Sequence, residues 1–444
     1  MMVFLSGVLM KRSAPEARPR VQLNFTGMAQ TSPNHQQATS RYTAWTPSPV
    51  RQRWMLAFLC VGIAVFESKT AGDFEIFLAA ASDFFQGVNP YEQLYHEWYH
   101  YYYDLLFLAL IYPLTVLPLG LAKFAWILIL EVAMVRSWML MERWLPARDD
   151  AKGAFLERSA WVLASANLWL INFHLHQLTP ILLWLMLEAA QETQRRWRGG
   201  MVGLGIALKV LPIAAIPMWF LRGNWVKLRN AGIAFVVALA VPFLWTESNR
   251  ALQLLESRWV LLNPSNEEHV FDVDEESFHS VTTWVPTLTS ENARGDNTKT
   301  WRRHIIDLPV PQVHVLTRLV QFLLLCAVLA FLTAPPWRQP ASPAYEWAGL
   351  LAIIPLVFPH QQIYSFLFAF PAIAWLIRNG WFVTDSSMTR LVKALSIAAM
   401  LLLNLHLYLG AYRGFYNHYK LVTVGALLLV WCLYQTKPTK ALRH

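Results

Sequence analysis

Charge and cysteine are both scarce in this chain, and each shortage removes a class of protein. Only 15% of the 444 residues are Asp, Glu, Lys or Arg, against 55% hydrophobic and 14% aromatic. A soluble enzyme could not bury that surplus, so the chain reads as one with repeated spans of bilayer length. Cys60, Cys326 and Cys432 stand apart inside apolar runs, which gives neither a disulfide framework nor a zinc cluster. There is no Walker, dinucleotide-binding or zinc-protease pattern and no repeat of fixed period, so ATP-driven and redox chemistry have no footing. No cofactor and no metal are expected. The net charge of +9 does not indicate nucleic acid, because Lys11, Arg12, Arg18, Arg20, Arg41, Arg51 and Arg53 crowd ahead of the first span, as the positive-inside bias expects.

What is present is apolar length. The fold class predicted is all-α: a polytopic membrane domain over 54–436, with a disordered basic tail at 1–53 and a short basic tail at 437–444. Met1 to Met10 is apolar but short and has no basic lead, which argues against a cleaved signal peptide. About ten to twelve passes are expected, several of them shorter than the roughly 20 residues a lone helix needs, which suggests half-helices buried in protein. Basic flanks at Arg195-Arg196, Arg222, Lys227, Arg229, Arg338, Lys437, Lys440 and Arg443 assign the cytoplasmic side. The stretch Met201 to Phe220, with Pro212 and Pro217, then reads as a hairpin of two short helices with Lys209 near its tip. Five stretches share the outer face: a first loop at 72–103, 174–179, a large loop at 247–312, the surroundings of His360, and 412–420. Parity requires an odd number of crossings between Leu105 and Leu140, and hydropathy alone does not supply it.

Candidate chemistry gathers in those outer stretches. Asp73 precedes Phe74, Phe77, Leu78, Ala81, Phe84 and Phe85 at helical spacing, so it stands at the start of an amphipathic helix expected to lie on the membrane surface. As an N-cap it would be held ionised by backbone donors; as a base it would take a proton; the two roles are compatible. Glu75 either favours the helix dipole or is a second acid. Gly87-Val88-Asn89-Pro90-Tyr91 reads as a turn, and Glu97 to Asp104 as an aromatic belt in which rings beside carboxylates also suit a sugar-binding groove. His174 and His176 have no third ligand, so polar groups at a helix junction fit better than a metal. Lys209 at membrane depth needs an anionic partner, such as a lipid phosphate, or a route to the interface. His360 could bind phosphate or cap a helix. Ser277 and His279 do not make a triad by spacing alone, while Arg302 and Arg303 suit a phosphate.

Taken in order, these residues resemble the integral-membrane GT-C glycosyltransferases, and most closely glycosyltransferase family 87, the polyprenyl-phosphate-mannose-dependent group. The resemblance runs from Trp54 to Tyr434. It rests on Asp73 after the first span, Gly87 to Tyr91, the junction ending in Gln177, Gly203 to Pro212 with its Lys-Val-Leu-Pro, Ser277-Phe278, and His360 with Tyr364 and Pro371. Two departures stand out: Tyr103-Asp104 where the family commonly has a Tyr-Pro-Pro start, and His176-Gln177-Leu178-Thr179 for its Gly-Gln-x-Asn.

The resemblance implies transfer of a hexose, mannose in the family, from a polyprenyl-phosphate sugar to a lipid- or glycan-linked acceptor hydroxyl. The reaction would occur at the outer, periplasmic face of a bacterial inner membrane. Asp73 would be the base and Glu75 a secondary acid. Lys209, His360, Arg302 and Arg303 would bind the donor phosphate, and Asn89, Tyr91, Gln177, Ser277, His279 and Tyr364 the substrates. Phosphate leaves with little acid assistance, so one base and a set of cations suffice, and direct displacement would invert the anomeric centre. A lipid-sugar flippase or transporter should show internal repeats, and an oligosaccharide polymerase or ligase should concentrate Arg and His in the late outer loop.

Overall fold

The structure is a computed structural model that describes residues 49–438 apart from 98, 147, 149, 192–196, 264–276, 292–300, 336–337, 339 and 382–387. Most of the N-terminal tail, Arg195, Arg196, Lys440 and Arg443 therefore lie outside the described residues. Those residues form helices joined by turns, with two isolated bridges and no sheet.

The path is fixed by contacts at the two ends of the bundle. α1 (Pro49–Glu67) runs to one end, the site end, and α2 (Phe74–Gln86) and α3 (Leu105–Ile111) stay there. They do so because Lys123, at the start of α4 (Leu119–Trp144), donates from Nζ to the Thr70 carbonyl at 2.7 Å and to Glu75 Oε1 at 2.5 Å. The chain between Asp104 and Leu119 thus leaves and returns at one end of the bundle, and α4, long and apolar enough to cross a membrane, carries it to the other. α2 differs from the expectation of a surface helix. Its apolar face is spent on protein: Phe74 stacks on Trp126 at 5.3 Å, and Phe77 meets Tyr103 and Phe107 edge-on at 4.9 and 5.1 Å.

From α4 the chain shuttles through α5 (Ala151–His174), α6 (Thr179–Ala190), α7 (Arg198–Leu208), α8 (Ala215–Leu221) and α9 (Trp225–Ala240). Gly199 lies against the backbone of Lys227 and Gly203 against that of Ala231, so α7 and α9 run parallel. α8 must then descend between them. Lys209, extended at φ −153°, ψ 135°, forms the tip of the resulting hairpin. Arg198 to Glu188 at 3.0 Å and Lys227 Nζ to the Ala189 carbonyl at 3.0 Å tie the opposite ends together. Gly199 and Gly203 are spaced four apart, the small-residue pattern that lets membrane helices touch backbone to backbone. A Cβ on Gly203 would collide with the Ala231 carbonyl. Gly203→Ala should therefore cost about 1–3 kcal/mol of stability, seen as a lower thermal midpoint in detergent than Gly232→Ala, whose Cβ meets nothing.

α10 (Ser248–Leu262) and α11 (Val281–Thr289) lie at the site end before α12 (Val310–Ala330) descends. α13 (Pro343–Val357) climbs, and Ile363–Trp381, which contains α14 (Phe370–Leu376), descends. α15 (Arg390–Asn404) climbs, α16 (Arg413–His418) turns, and α17 (Leu421–Gln435) descends. Arg222 grips both carboxylate oxygens of buried Glu346 at 2.7 Å, Arg378 meets Glu157 at 2.7 Å, and Lys437 donates to the Ala330 carbonyl at 2.8 Å. These cations mark the end remote from the site.

Four helices, Leu119–Trp144, Trp225–Leu244, Val310–Ala330 and Ile363–Trp381, are long and apolar enough to cross a membrane, and seven further apolar helices are shorter. The short ones converge on the interior. α6, at 12 residues, spans about 18 Å against a hydrocarbon core of roughly 30 Å. Its polar start, at Gln177 and Thr179, is buried inside the bundle.

Candidate functional site

The buried polar centre beside Gln177 is built on a turn. After α5 the chain closes with the Gln177 amide bonded to the Asn172 carbonyl at 2.8 Å and the His176 amide to that of Phe173 at 3.2 Å, with His176 left-handed at φ 56°. This is the Schellman pattern, with His where Gly is usual. It aims the Gln177 side chain at Asp73. The loop before α2 docks on the same turn: Thr70 Oγ1 donates to the His174 carbonyl at 3.1 Å, and the Asp73 amide to that of Leu175 at 3.2 Å. Gly72 permits the approach, since a Cβ there would sit 2.6 Å from His176 Nδ1 and 2.9 Å from the Leu175 backbone.

Asp73 occupies the N-cap position of α2 but does not cap it. Its backbone is αR and its side chain makes no cap bond. Instead Oδ2 accepts from Gln177 Nε2 at 2.5 Å. The expectation that helix donors keep the carboxylate ionised is thereby corrected: burial pushes its pKa up from the ordinary Asp value, opposed in turn by the Gln177 bond, the charge of Lys209 and that of His96.

Lys209 points into the same space. Its Nζ lies 5.4 Å from the Tyr103 ring centroid and 5.2 Å from that of Tyr364. Asp73 acts on it electrostatically, yet it has no hydrogen-bond acceptor or ion-pair partner among the described residues. Tyr364 is placed by Asn172, whose Nδ2 donates to the Tyr364 carbonyl at 2.9 Å. Asp73, Gln177, Lys209, Tyr103 and Tyr364 thus form one connected centre, with the Lys209 ammonium set against the two rings.

The other candidates sit around it. Glu75 is held by Lys123, with His96 Nε2 at 4.0 Å from its second oxygen. Because that ion pair already satisfies it, Glu75→Gln should lower activity less than about tenfold and cost some stability, measured by turnover and thermal midpoint on one preparation. Asn89 makes an Asx turn, accepting from the Tyr91 amide at 3.1 Å, and reaches Glu92 at 2.6 Å and Ser257 at 2.9 Å. Tyr91 is buried, and its hydroxyl donates to the Tyr103 carbonyl at 2.9 Å.

A second group lies beside this centre. Phe278, next to Ser277, pairs with Gln362 and packs edge-on to His360 at 5.1 Å, while the His279 amide donates to the Gln361 carbonyl at 2.7 Å. The His279 ring is fully buried, and burial depresses its pKa. Arg302 and Arg303 belong to a third group. There His418 bonds the Trp301 carbonyl at 2.9 Å and Tyr419 that of Arg302 at 3.4 Å. Among the described residues no group of three His, Cys, Asp or Glu could hold a metal.

Sequence reasoning missed three residues. Arg258 on α10 pairs with buried Asp104 at 2.6 Å and donates to the Ala207 carbonyl at 2.9 Å, clamping the neighbours of Tyr103 and Lys209. Lys123 was hidden at the head of an apolar run, and His96 in the aromatic stretch.

A family model described as glycosyltransferase family 87 matches residues 101–359. The chain belongs to glycosyltransferase family 87. It is a membrane glycosyltransferase, and its substrates are accordingly a sugar donor and an acceptor. The family 87 match takes in Gln177, Lys209, Arg258 and the Arg302-Arg303 pair; Asp73 precedes it, and His360 and Tyr364 follow it. Comparison with curated proteins and with solved structures returned no match.

Proposed function

We propose that this glycosyltransferase moves a hexose, mannose by family resemblance, from a polyprenyl-phosphate sugar to an acceptor hydroxyl, with inversion at the anomeric carbon. The observation that carries the reading is Lys209: a cation at the tip of a hairpin, set between two aromatic rings, in the field of the Asp73 carboxylate and without an ion-pair partner among the described residues. A phosphate bridging to the anomeric carbon supplies that anion. As the C–O bond to phosphate breaks, charge accumulates on the departing phosphate and the ammonium stabilises it. Asp73 takes the proton of the acceptor hydroxyl as that oxygen attacks the opposite face of the sugar. Gln177 orients Asp73 and favours its ionised form. Tyr364 walls the donor side; His360, Ser277 and His279 line the adjoining face; and the Arg302-Arg303 pair attracts the anionic donor. The catalytic face is periplasmic.

The direct test is transfer of label from polyprenyl-phosphate mannose, beside polyprenyl-phosphate glucose and a nucleotide-sugar, in membranes carrying the protein. Label from a polyprenyl-phosphate sugar supports the reading. Transfer only from the nucleotide-sugar overturns it.

A further inference from the structure

A cleft of about 730 Å³ separates the first loop from α10, away from Asp73 and Lys209. Its volume falls in the range of small-molecule sites. Its chemistry differs from that of the Asp73 centre. Asn89, Glu92, Gln253, Glu256 and Ser257 supply amides, carboxylates and a hydroxyl, and Arg250 is the lining cation. The Arg250 guanidinium is already occupied by the Gly87 carbonyl. With Glu92 and Glu256 against Arg250, the lining is formally acidic, which repels a phosphate or an anionic headgroup. Tyr91, Leu254, Val260 and Leu261 add apolar surface, of the kind the C–H faces of a sugar ring pack against. What amides and carboxylates from the first loop and α10 do match is a run of neutral vicinal hydroxyls, each able to donate to a carboxylate and accept from an amide.

The cleft is also placed to deliver such a chain. Tyr91 on its wall donates to the Tyr103 carbonyl, and the Tyr103 ring lies beside Lys209. Arg258, next to Ser257, binds Asp104 and the Ala207 carbonyl. Tyr91 and Tyr103 stand between cleft and centre.

We infer that this cleft binds the acceptor and that the acceptor is a neutral oligosaccharide chain, held by Glu92, Glu256, Gln253 and Ser257. The inference rests on the transferase reading above. Ions are thereby sorted: the anionic donor goes to Lys209, the uncharged polyol to α10.

The experiment uses the full chain in nanodiscs with mannotriose as the probe, read by saturation-transfer NMR. Saturation should pass to the trisaccharide and persist when inorganic phosphate is added. Gln253→Trp, at an exposed position on the cleft wall, should weaken binding about tenfold or more. Glu256→Ala, also exposed, should weaken it in the same direction, guarding against misfolding of the first variant. No saturation transfer to mannotriose, displacement of the sugar by phosphate, or undiminished binding in both variants overturns the inference. The same nanodiscs are assayed with labelled polyprenyl-phosphate mannose. Loss of transfer in the parent protein would count against the reaction assigned above, whereas parental transfer with unaltered mannotriose binding in the variants would count against the cleft alone.

Discussion

Asp73→Asn should abolish sugar transfer by a factor on the order of 10² or more while leaving the protein at least as heat-stable as the parent at neutral pH. The first half follows from the proton. Asn accepts a hydrogen bond through its amide oxygen, so it can still meet Gln177 Nε2, but it cannot take a proton from an attacking hydroxyl. The second half follows from the direction of the pKa. Burial raises the Asp73 pKa above its ordinary value despite Gln177 and Lys209. A carboxyl raised on folding adds stability below its unfolded pKa, and that stability is lost as pH rises through the folded value. At neutral pH the ionised Asp73 therefore costs stability, and a neutral amide removes the cost. Turnover and thermal midpoint on the same preparation decide. A lower midpoint would make Asp73 a structural residue, and parental turnover would remove it as base.

Only some parts of the site were legible in advance. Lys209 stood out because an ammonium inside an apolar hairpin is costly, and the two prolines with the flanking basic residues fixed its place at the tip. Gln177 and Tyr364 entered through the ordered resemblance, and contacts join both to the Asp73 centre. What local pattern could not give was the partner of each acid. Asp73 and Glu75 both read as first-turn residues of a helix, yet one is bound by Gln177 and the other by Lys123. Arg258 was equally hidden, since its partners Asp104 and Ala207 lie far upstream in sequence. The helical class was readable from apolar runs, but the detour of α3 was not. Its apolar residues satisfy hydropathy as well as a span would, and only Lys123 reaching back to Thr70 and Glu75 fixes it on one side.

Lys209→Met should lower turnover by about 10² and shift what remains toward higher pH. Methionine keeps the unbranched length of the stem and its packing between Tyr103 and Tyr364, so the hairpin should hold. The ammonium is lost, and with it the charge that meets the departing phosphate. Lys209 also lowers the pKa of Asp73 through its charge. Without it the carboxylate is harder to ionise. Because the base acts only when deprotonated, activity rises with pH through the Asp73 pKa, and that acid limb should move to higher pH in Lys209→Met. Gln177→Leu should move the limb the same way, because it removes the hydrogen bond that favours the carboxylate, but it should leave the donor requirement nearer the parent's. The two effects separate in kcat/KM for the donor measured across pH: Lys209→Met should show both a raised donor KM and a displaced limb, Gln177→Leu chiefly the limb. A limb that stays in place in both variants would show that the ionisation governing the rate is not that of Asp73. A donor KM unchanged in Lys209→Met would place the phosphate elsewhere than at the hairpin tip.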